Sequence, residues 1–183
     1  MARLLRDQGY TATGRAQLLA ESGVSNGSLY HHFRGGMEEV AEAALEASGR
    51  VVADALRAAL DDAPSAGEGV VRFLEFAWPV GEPCAGCPIA PTALEADVIS
   101  PRLRAVAARS FDEQEALIAA RLRADGWPEG SAAEAASATL ALIEGALLLG
   151  RVSWQRSHLA RAQRAVLALL ETPPANLGTR ARK

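Results

Sequence analysis

The residues whose spacing could support chemistry are two cysteines three positions apart, Cys84 and Cys87. A C-x-x-C pair can act as a redox centre, because the partner thiol and a helix N-terminus lower the pKa of the attacking thiol. That motif belongs beside a strand-helix-strand pattern, which this sequence lacks. A zinc site needs four ligands, and the next candidate, His158, is far away in the sequence. We therefore predict buried structural thiols and no metal, with a thiol-based redox sensor or enzyme as the alternative.

The rest of the sequence offers no second set of catalytic residues. There is no Ser-His-Asp set, no pair of acids at a defined spacing and no phosphate-binding glycine loop, so we predict no enzyme and no cofactor. Two cysteines are few for a secreted scaffold, and the first ten residues do not form a signal sequence. The longest apolar stretch, residues 132–150, is interrupted by Glu134 and Glu144. These features predict a cytoplasmic protein without a membrane partner.

A second group of polar residues lies in the segment 13–33. Two short helices are predicted to meet at Gly23, and the second is too polar on one side for a core helix. This arrangement is typical of a helix-turn-helix, whose second helix protrudes into the major groove of DNA. Gly27 and Ser28 are small enough to let the backbone approach DNA, and Tyr30 and His31 can donate hydrogen bonds to phosphates. The residues predicted to join the two helices are Leu18, Leu19, Val24 and Leu29.

The segment GYTATGRAQLLAESGVSNGSLYHHFRGG, residues 9–36, resembles the DNA-binding domain of the TetR/AcrR repressors. The shared features are a Gly-Tyr pair, a Thr-capped helix and a G-V-S-x-G-S-L-Y-x-H-F helix, in this order, and the resemblance extends over residues 4–46. A shorter stretch, residues 86–89 followed by 93–95, is similar to the ligand domain of the LmrA/YxaF-like branch. The resemblance implies an all-α fold, with a three-helix DNA-binding domain and a C-terminal helical bundle for ligand binding and dimerisation.

The resemblance also implies which residues contact DNA. It makes residues 26–32 the recognition helix, whose first residues lie near the base edges while flanking residues contact phosphates. Asn26 is suited to reading adenine through two hydrogen bonds. The implied DNA-contacting residues are Thr13, Arg15, Ser25, Asn26, Gly27, Ser28, Tyr30 and His31.

Three departures from the family pattern concern this same region. Asn26 stands where the family often has lysine, Met37 replaces the lysine that commonly follows the double glycine, and the first helix is shorter. Met1 is therefore either a misplaced start, a truncation or a true variant. These departures keep open a second alternative, a ligand-binding relative that no longer binds DNA.

Composition and charge constrain how such a chain could hold DNA. Hydrophobic residues make up 49% and aromatic residues 5% of the chain, and alanine and leucine dominate, which favours helices over strands. The net charge is −3, so any DNA contact has to come from a local patch. Residues 1–36 hold four arginines against Asp7 and Glu21, a net of +2. We expect binding that weakens with salt less steeply than is usual.

The elements that position these residues follow from capping signals and periodicity. Thr11 and Thr13 are predicted to cap the second helix, and residues 64–69 are predicted to form a linker. Residues 81–91 should form a loop and residues 173–183 a disordered basic tail. The predicted helices cover residues 1–8, about 13–22, 26–32, 37–62, 70–80, 92–99, 101–124, 131–156 and 158–171. The buried face of the long helix is predicted to consist of Val40, Ala44, Val51, Ala55, Leu56, Ala59 and Leu60.

We divide the chain into a DNA-binding domain at residues 1–46, a ligand-binding and dimerisation domain at residues 47–172 and the tail. Small-molecule pockets are mostly apolar, so aromatic side chains of the second domain are the candidate lining residues. They are Phe73, Phe76, Trp78, Phe111, Trp127 and Trp154. The last two helices carry many alanines and glycines beside leucines, which predicts that they pair with their copies in a homodimer.

Together these observations predict a TetR-type regulator that binds operator DNA as a homodimer. We expect a repressor that a small apolar or aromatic effector releases from a near-palindromic site, with recognition helices about 34–36 Å apart. The helix at residues 37–62 would act as the lever between ligand and DNA.

Overall fold

Helix boundaries in this computed structural model, which describes residues 1–95 and 98–171, follow local capping residues. Ser25, Ser65 and Ser100 each accept a hydrogen bond through Oγ from a backbone N–H three residues further on, which satisfies a donor that the helix leaves unpaired. The described residues form nine α-helices and no strand, which confirms the all-α prediction. They are α1 (Ala2–Gln8), α2 (Arg15–Ser22), α3 (Asn26–His32), α4 (Met37–Asp61), α5 (Ala66–Ala77), α6 (Ala90–Ala93), α7 (Pro101–Ala124), α8 (Glu129–Ser153) and α9 (Ser157–Leu170).

Three of the predicted boundaries are wrong. The N-cap of α2 is Gly14, so neither Thr11 nor Thr13 caps that helix. Residues 66–69 belong to α5 rather than to a linker. In that turn of α5, glycine is required by packing, since a Cβ at Gly69 would collide with Leu60 of α4. The helix predicted at 92–99 is the single turn α6, while the predicted disordered tail lies outside the described residues.

The buried face of α4 also differs from the prediction. Leu56 and Leu60 are buried as expected, but Val51 is 61% exposed, and Val40, Ala44, Ala55 and Ala59 are only half-buried. The face that packs into the bundle consists of Ala41, Leu45, Gly49, Ala53, Leu56 and Leu60. Small residues occupy this stripe because α7 approaches closely: a Cβ at Gly49 would press on Ser110 of α7. The predicted stripe shares Leu56 and Leu60 with this face but otherwise lies beside it, because the spacing of three and four does not by itself decide between neighbouring faces of an alanine-rich helix.

Two hydrophobic cores stabilise the molecule. In the N-terminal part, Leu4, Leu18 and Leu29 bring α1, α2 and α3 together, with Met37 and Val40 of α4 at the edge. Helices α4, α5, α7, α8 and α9 enclose a much larger core. Length and composition alone would allow α8 to cross a membrane, but it packs against α7 and α9 and buries nearly half of its apolar window there. It is therefore placed as a helix of the bundle.

Candidate nucleic-acid interface and ligand cavity

A tight turn presents α3 to solvent. Gly23 ends α2 in the left-handed conformation, with φ 68°, and its N–H donates to the carbonyl of Leu19. Glycine adopts this conformation at no steric cost. Ser25 then starts α3 by accepting a hydrogen bond from the Ser28 N–H at 3.1 Å. Because Leu29 alone is buried in α3, this helix has one face in the small core and the rest outside.

The residues predicted to approach the bases lie on the outer side of this turn and helix. Ser25, Asn26 and Gly27 are exposed, Ser28 is half-buried, and His31 is exposed beside His32, with the two ring centroids 5.0 Å apart. No acidic residue occurs in α3, so no carboxylate of that helix would repel a phosphate.

Arg15 and Tyr30 form a polar pair beside α3. An Arg15 Nη1 hydrogen donates to the Tyr30 hydroxyl oxygen at 3.1 Å, which connects α2 to α3. The Tyr30 ring is 41% exposed and lies against Gly36, where a Cβ would come within 3.3 Å of it. With its oxygen occupied by the arginine, the Tyr30 hydroxyl keeps its own hydrogen to donate outward. The pair therefore presents two donors of the kind that phosphate oxygens accept.

Thr13 has a different place from the one expected. Its side chain is buried, and its hydroxyl donates to the Gly9 carbonyl oxygen at 2.6 Å. The hydrogen that was expected to reach a phosphate is thus used inside the α1–α2 turn. The sequence pattern located the residue correctly near α2 but could not show that the turn closes over it.

Two charged residues of the bundle hold the end of α1, and sequence reasoning missed both. Arg151 of α8 donates to the carbonyl oxygens of Arg6 and Asp7, at 2.7 and 2.8 Å. Glu95 accepts hydrogen bonds from the N–H groups of Tyr10 and Thr11, both at 3.0 Å. A cation therefore meets the last carbonyls of α1, and an anion meets the amides that follow. These contacts join the helix-turn-helix to the bundle, although no motif marked them.

A cavity of about 320 Å³ lies between the bundle helices and α1. Its volume falls in the range of small-molecule sites, and its walls are mostly apolar. Phe73 and Phe76, two of the six candidate lining residues, lie in its wall. The wall also includes polar residues that were not predicted, namely Arg6, Cys87, Gln114 and Glu144.

The other four aromatic residues lie apart from this cavity. Trp78 is buried, donates through Nε1 to the Glu82 carbonyl oxygen at 2.9 Å, and has the Arg156 guanidinium 5.2 Å from its ring centroid. Trp127 is buried beyond the end of α7, Phe111 is half-buried against the core, and Trp154 is 74% exposed. Aromatic residue type alone did not distinguish the cavity wall from ordinary core, since aromatics fill either environment.

Both cysteines are buried free thiols, which confirms the predicted burial. Burial raises the pKa of Cys87 to about 12 and raises that of Cys84 as well. Since the thiolate is the reactive form, the raised pKa values disfavour reaction at both thiols. The Cys84 thiol donates to the Leu147 carbonyl oxygen at 3.4 Å, and Cys87 Sγ accepts from the Ile89 N–H at the same distance. The thiols thus shape the loop before α6.

Two family models match the chain. Residues 2–44 match the model of bacterial regulatory proteins of the tetR family. Residues 77–165 match the C-terminal domain model of LmrA/YxaF-like transcriptional regulators. The matched ranges contain the helix-turn-helix in the first case and the cysteine loop with α6, α7 and α8 in the second.

Individual proteins resemble the chain over most of its length. The Bacillus subtilis HTH-type transcriptional regulator LmrA is 32% identical over 176 residues, covering 92% of each chain. The uncharacterized HTH-type regulator YxaF of the same organism is 32% identical over 86% of this chain and 84% of its own. Among solved structures, the reduced form of Escherichia coli NemR superposes with a TM-score of 0.82 at 22% identity over 95% of both chains. A TetR regulator from Chloroflexus aurantiacus gives a TM-score of 0.79 at 27% identity, covering 94% of this chain and 90% of its own.

Proposed function

Because the chain belongs to the TetR family of HTH-type transcriptional regulators, we propose that it is a repressor that a small molecule releases from operator DNA. The observation that carries the proposal is the exposed α3, presented by the Gly23 turn and flanked by the Arg15–Tyr30 pair. Asn26 is proposed to read a base edge, and Arg15, Tyr30 and His31 to hold phosphates. We place this activity in the cytoplasm, where the DNA lies.

We propose that two copies pair through α8 and α9. Apolar side chains remain exposed on both helices: Leu148, Leu149 and Val152 on α8, and Leu167 and Leu169 on α9. Exposed apolar patches of this kind are typical of protein interfaces. A two-fold axis beside these helices would carry two copies of α3 to successive major grooves. A Leu149→Glu substitution is expected to give a monomer by light scattering and to weaken binding to a palindromic site.

The cavity is proposed as the effector site. Val51 and Val52 of α4 belong to its wall, and α4 starts directly after the recognition helix. An occupant therefore touches the helix that we propose as the lever. A ligand that favours one position of α4 weakens DNA binding, and DNA must weaken ligand binding by the same factor. The proposed boundary between the two domains, at residues 46 and 47, lies within this helix.

The test is a selection of random duplex DNA on the ligand-free protein at two salt concentrations. We expect enrichment of a palindrome whose half-sites are one helical turn apart, and loss of that enrichment with Tyr30→Ala. Arg15→Gln should weaken binding and reduce its salt dependence, since a phosphate contact is lost. Arg104→Gln is the matched control, because it removes the same charge from an exposed position on α7. A folded dimer that enriches no sequence would overturn the proposal.

A further inference from the structure

The ligand cavity contains a cationic side chain from the helix-turn-helix half of the molecule. Arg6 of α1 lines the same cavity as Phe73 and Val52 of the bundle. Its Nε is buried and has no hydrogen-bond partner among the described residues. The carboxylate of Asp7 forms an ion pair with that nitrogen at 3.6 Å, which is beyond hydrogen-bonding distance, and the Arg6 side chain as a whole is 36% exposed. Such a donor is costly to bury unless something accepts from it.

The position of this arginine is fixed by its own backbone. Arg151 donates to the Arg6 carbonyl oxygen at 2.7 Å and also reaches the Ala85 carbonyl oxygen at 3.3 Å. Ala85 belongs to the loop that forms part of the cavity wall. The end of α1 is thereby attached to the wall, which places Arg6 beside the cavity.

We propose that the effector is a small organic anion, a carboxylate on an apolar or aromatic body, and that Arg6 binds its carboxylate. The proposal rests on the assignment of the cavity as the effector site. An arginine offers only donors, and its planar fork matches the two oxygens of a carboxylate. The apolar walls around Phe73 and Phe76 provide the surface for the body of the ligand.

The other polar groups of the cavity are compatible with an anion. Burial raises the pKa of Glu144, which favours the neutral carboxyl form and reduces repulsion of a ligand carboxylate. In its neutral form Glu144 can also donate a hydrogen bond. Gln114 donates through Nε2 to the Ser110 carbonyl oxygen at 3.1 Å, so its amide oxygen is the acceptor left for a ligand hydroxyl.

A ligand held by Arg6 would touch both halves of the molecule at once. The arginine belongs to α1, whose Leu4 packs in the same small core as Leu29 of the recognition helix. An anion that draws the Arg6 guanidinium into the cavity therefore acts on the helix-turn-helix directly, in addition to any effect through α4. Replacing Arg6 should weaken both anion binding and the effect of the anion on DNA binding.

Two probes of equal shape test the proposal: 2-naphthoate, which carries the carboxylate, and 2-naphthamide, its neutral counterpart. Calorimetric titration of the full-length protein should give at least about tenfold tighter binding of naphthoate, since hydrogen bonds to charged groups are the stronger ones. Arg6→Gln should bring the ratio of the two affinities close to one, and Arg6→Lys should keep part of the preference. Arg3→Gln is the control, because Arg3 lies on the same helix but pairs with Glu21. Thermal melts establish that each variant is folded.

Three results would overturn the proposal: equal affinities of the two probes for the wild type, an undiminished preference in folded Arg6→Gln, or no binding of either probe. The DNA selection on ligand-free protein gives a separate answer. An enriched operator without naphthoate binding would refute the anionic effector and leave the repressor function standing. Naphthoate binding without an enriched operator would refute the DNA-binding proposal and leave the ligand class standing.

Discussion

The helix-turn-helix is held together by three buried leucines, whereas the bundle buries a core that extends from Leu5 through Trp78 to Leu170. The small core leaves most of α3 outside, and its helices begin and end at caps and glycines. The large core fixes its helices by packing, yet it leaves a cavity with polar groups inside. The first region is therefore specified mainly by local sequence, and the second by contacts between residues far apart in the chain.

The largest expected difference between the regions is the cost of deleting a leucine from each core. Leu74→Ala in the bundle should lower the free energy of unfolding by about 2–5 kcal/mol, because Leu74 is completely buried and leaves a cavity. Leu29→Ala should cost about 2 kcal/mol, since neighbours of a small surface core can relax into the space. Urea unfolding at one fixed protein concentration measures both. Equal losses would mean that the small core is as tightly packed as the bundle.

A second comparison concerns glycines of the bundle. Gly150 of α8 lies under the Trp78 ring, where any Cβ would overlap the ring carbons, while a Cβ at Gly130 of the same helix meets open space. Gly150→Ala should therefore destabilise the protein by about 1–3 kcal/mol through overpacking. Gly130→Ala should stabilise it by up to about 1 kcal/mol, because alanine is the better helix former. If the two substitutions shift the urea midpoint in the same direction, the packing of Trp78 does not require a residue without a Cβ at position 150.

The same contrast explains which parts of the fold the sequence could predict. The bounds of α3 and α7 were predicted correctly, because Ser25, Ser100 and Pro101 act on residues next to them in the chain. The start of α5 was missed although Ser65 caps that helix locally. The buried face of α4 was missed because it depends on close approach between helices. Close contacts with other helices leave no room for a Cβ at Gly49 or Gly69, and a pattern within one helix does not reveal these neighbours.

The functional residues show the same difference between local contacts, which the sequence predicts, and distant contacts, which it does not. Arg15 and Tyr30 were predicted on the helix-turn-helix, and the structure brings them together. Arg6, Glu95, Glu144 and Arg151 were not predicted, since each acts on a partner that is distant in the sequence. A charged residue that belongs to no motif is normally predicted to lie on the surface. Only the fold shows that Glu95 and Arg151 reach the end of α1.

A third, smaller effect tests the contact that joins the two regions. Glu95→Gln removes the charge that accepts from the Tyr10 and Thr11 amides, so we expect the α1–α2 turn to open more readily, by about 1 kcal/mol. Hydrogen exchange at these two amides should accelerate about fivefold, while that of the bundle core stays unchanged. Glu75→Gln, at an exposed position of α5, is the control. Uniform acceleration across the chain would show instead that the two regions unfold as one unit.

The smallest expected effect separates the buried polar groups of the bundle from the exposed ones of the helix-turn-helix. Burial raises the pKa of Glu144 above its ordinary value of 4.5, so the folded chain holds this proton at pH values where the unfolded chain has lost it. Stability contributed by the neutral carboxyl is complete below that ordinary value and is lost as the pH rises through the folded pKa. Glu144→Gln has no proton to lose, so it should match the wild-type melting temperature at pH 4 and exceed it at pH 8. Glu75→Gln should follow the wild type at both. Parallel profiles for wild type and Glu144→Gln would mean that water in the cavity solvates the Glu144 carboxylate. In that case the cavity would not differ at this residue from the exposed DNA-binding surface.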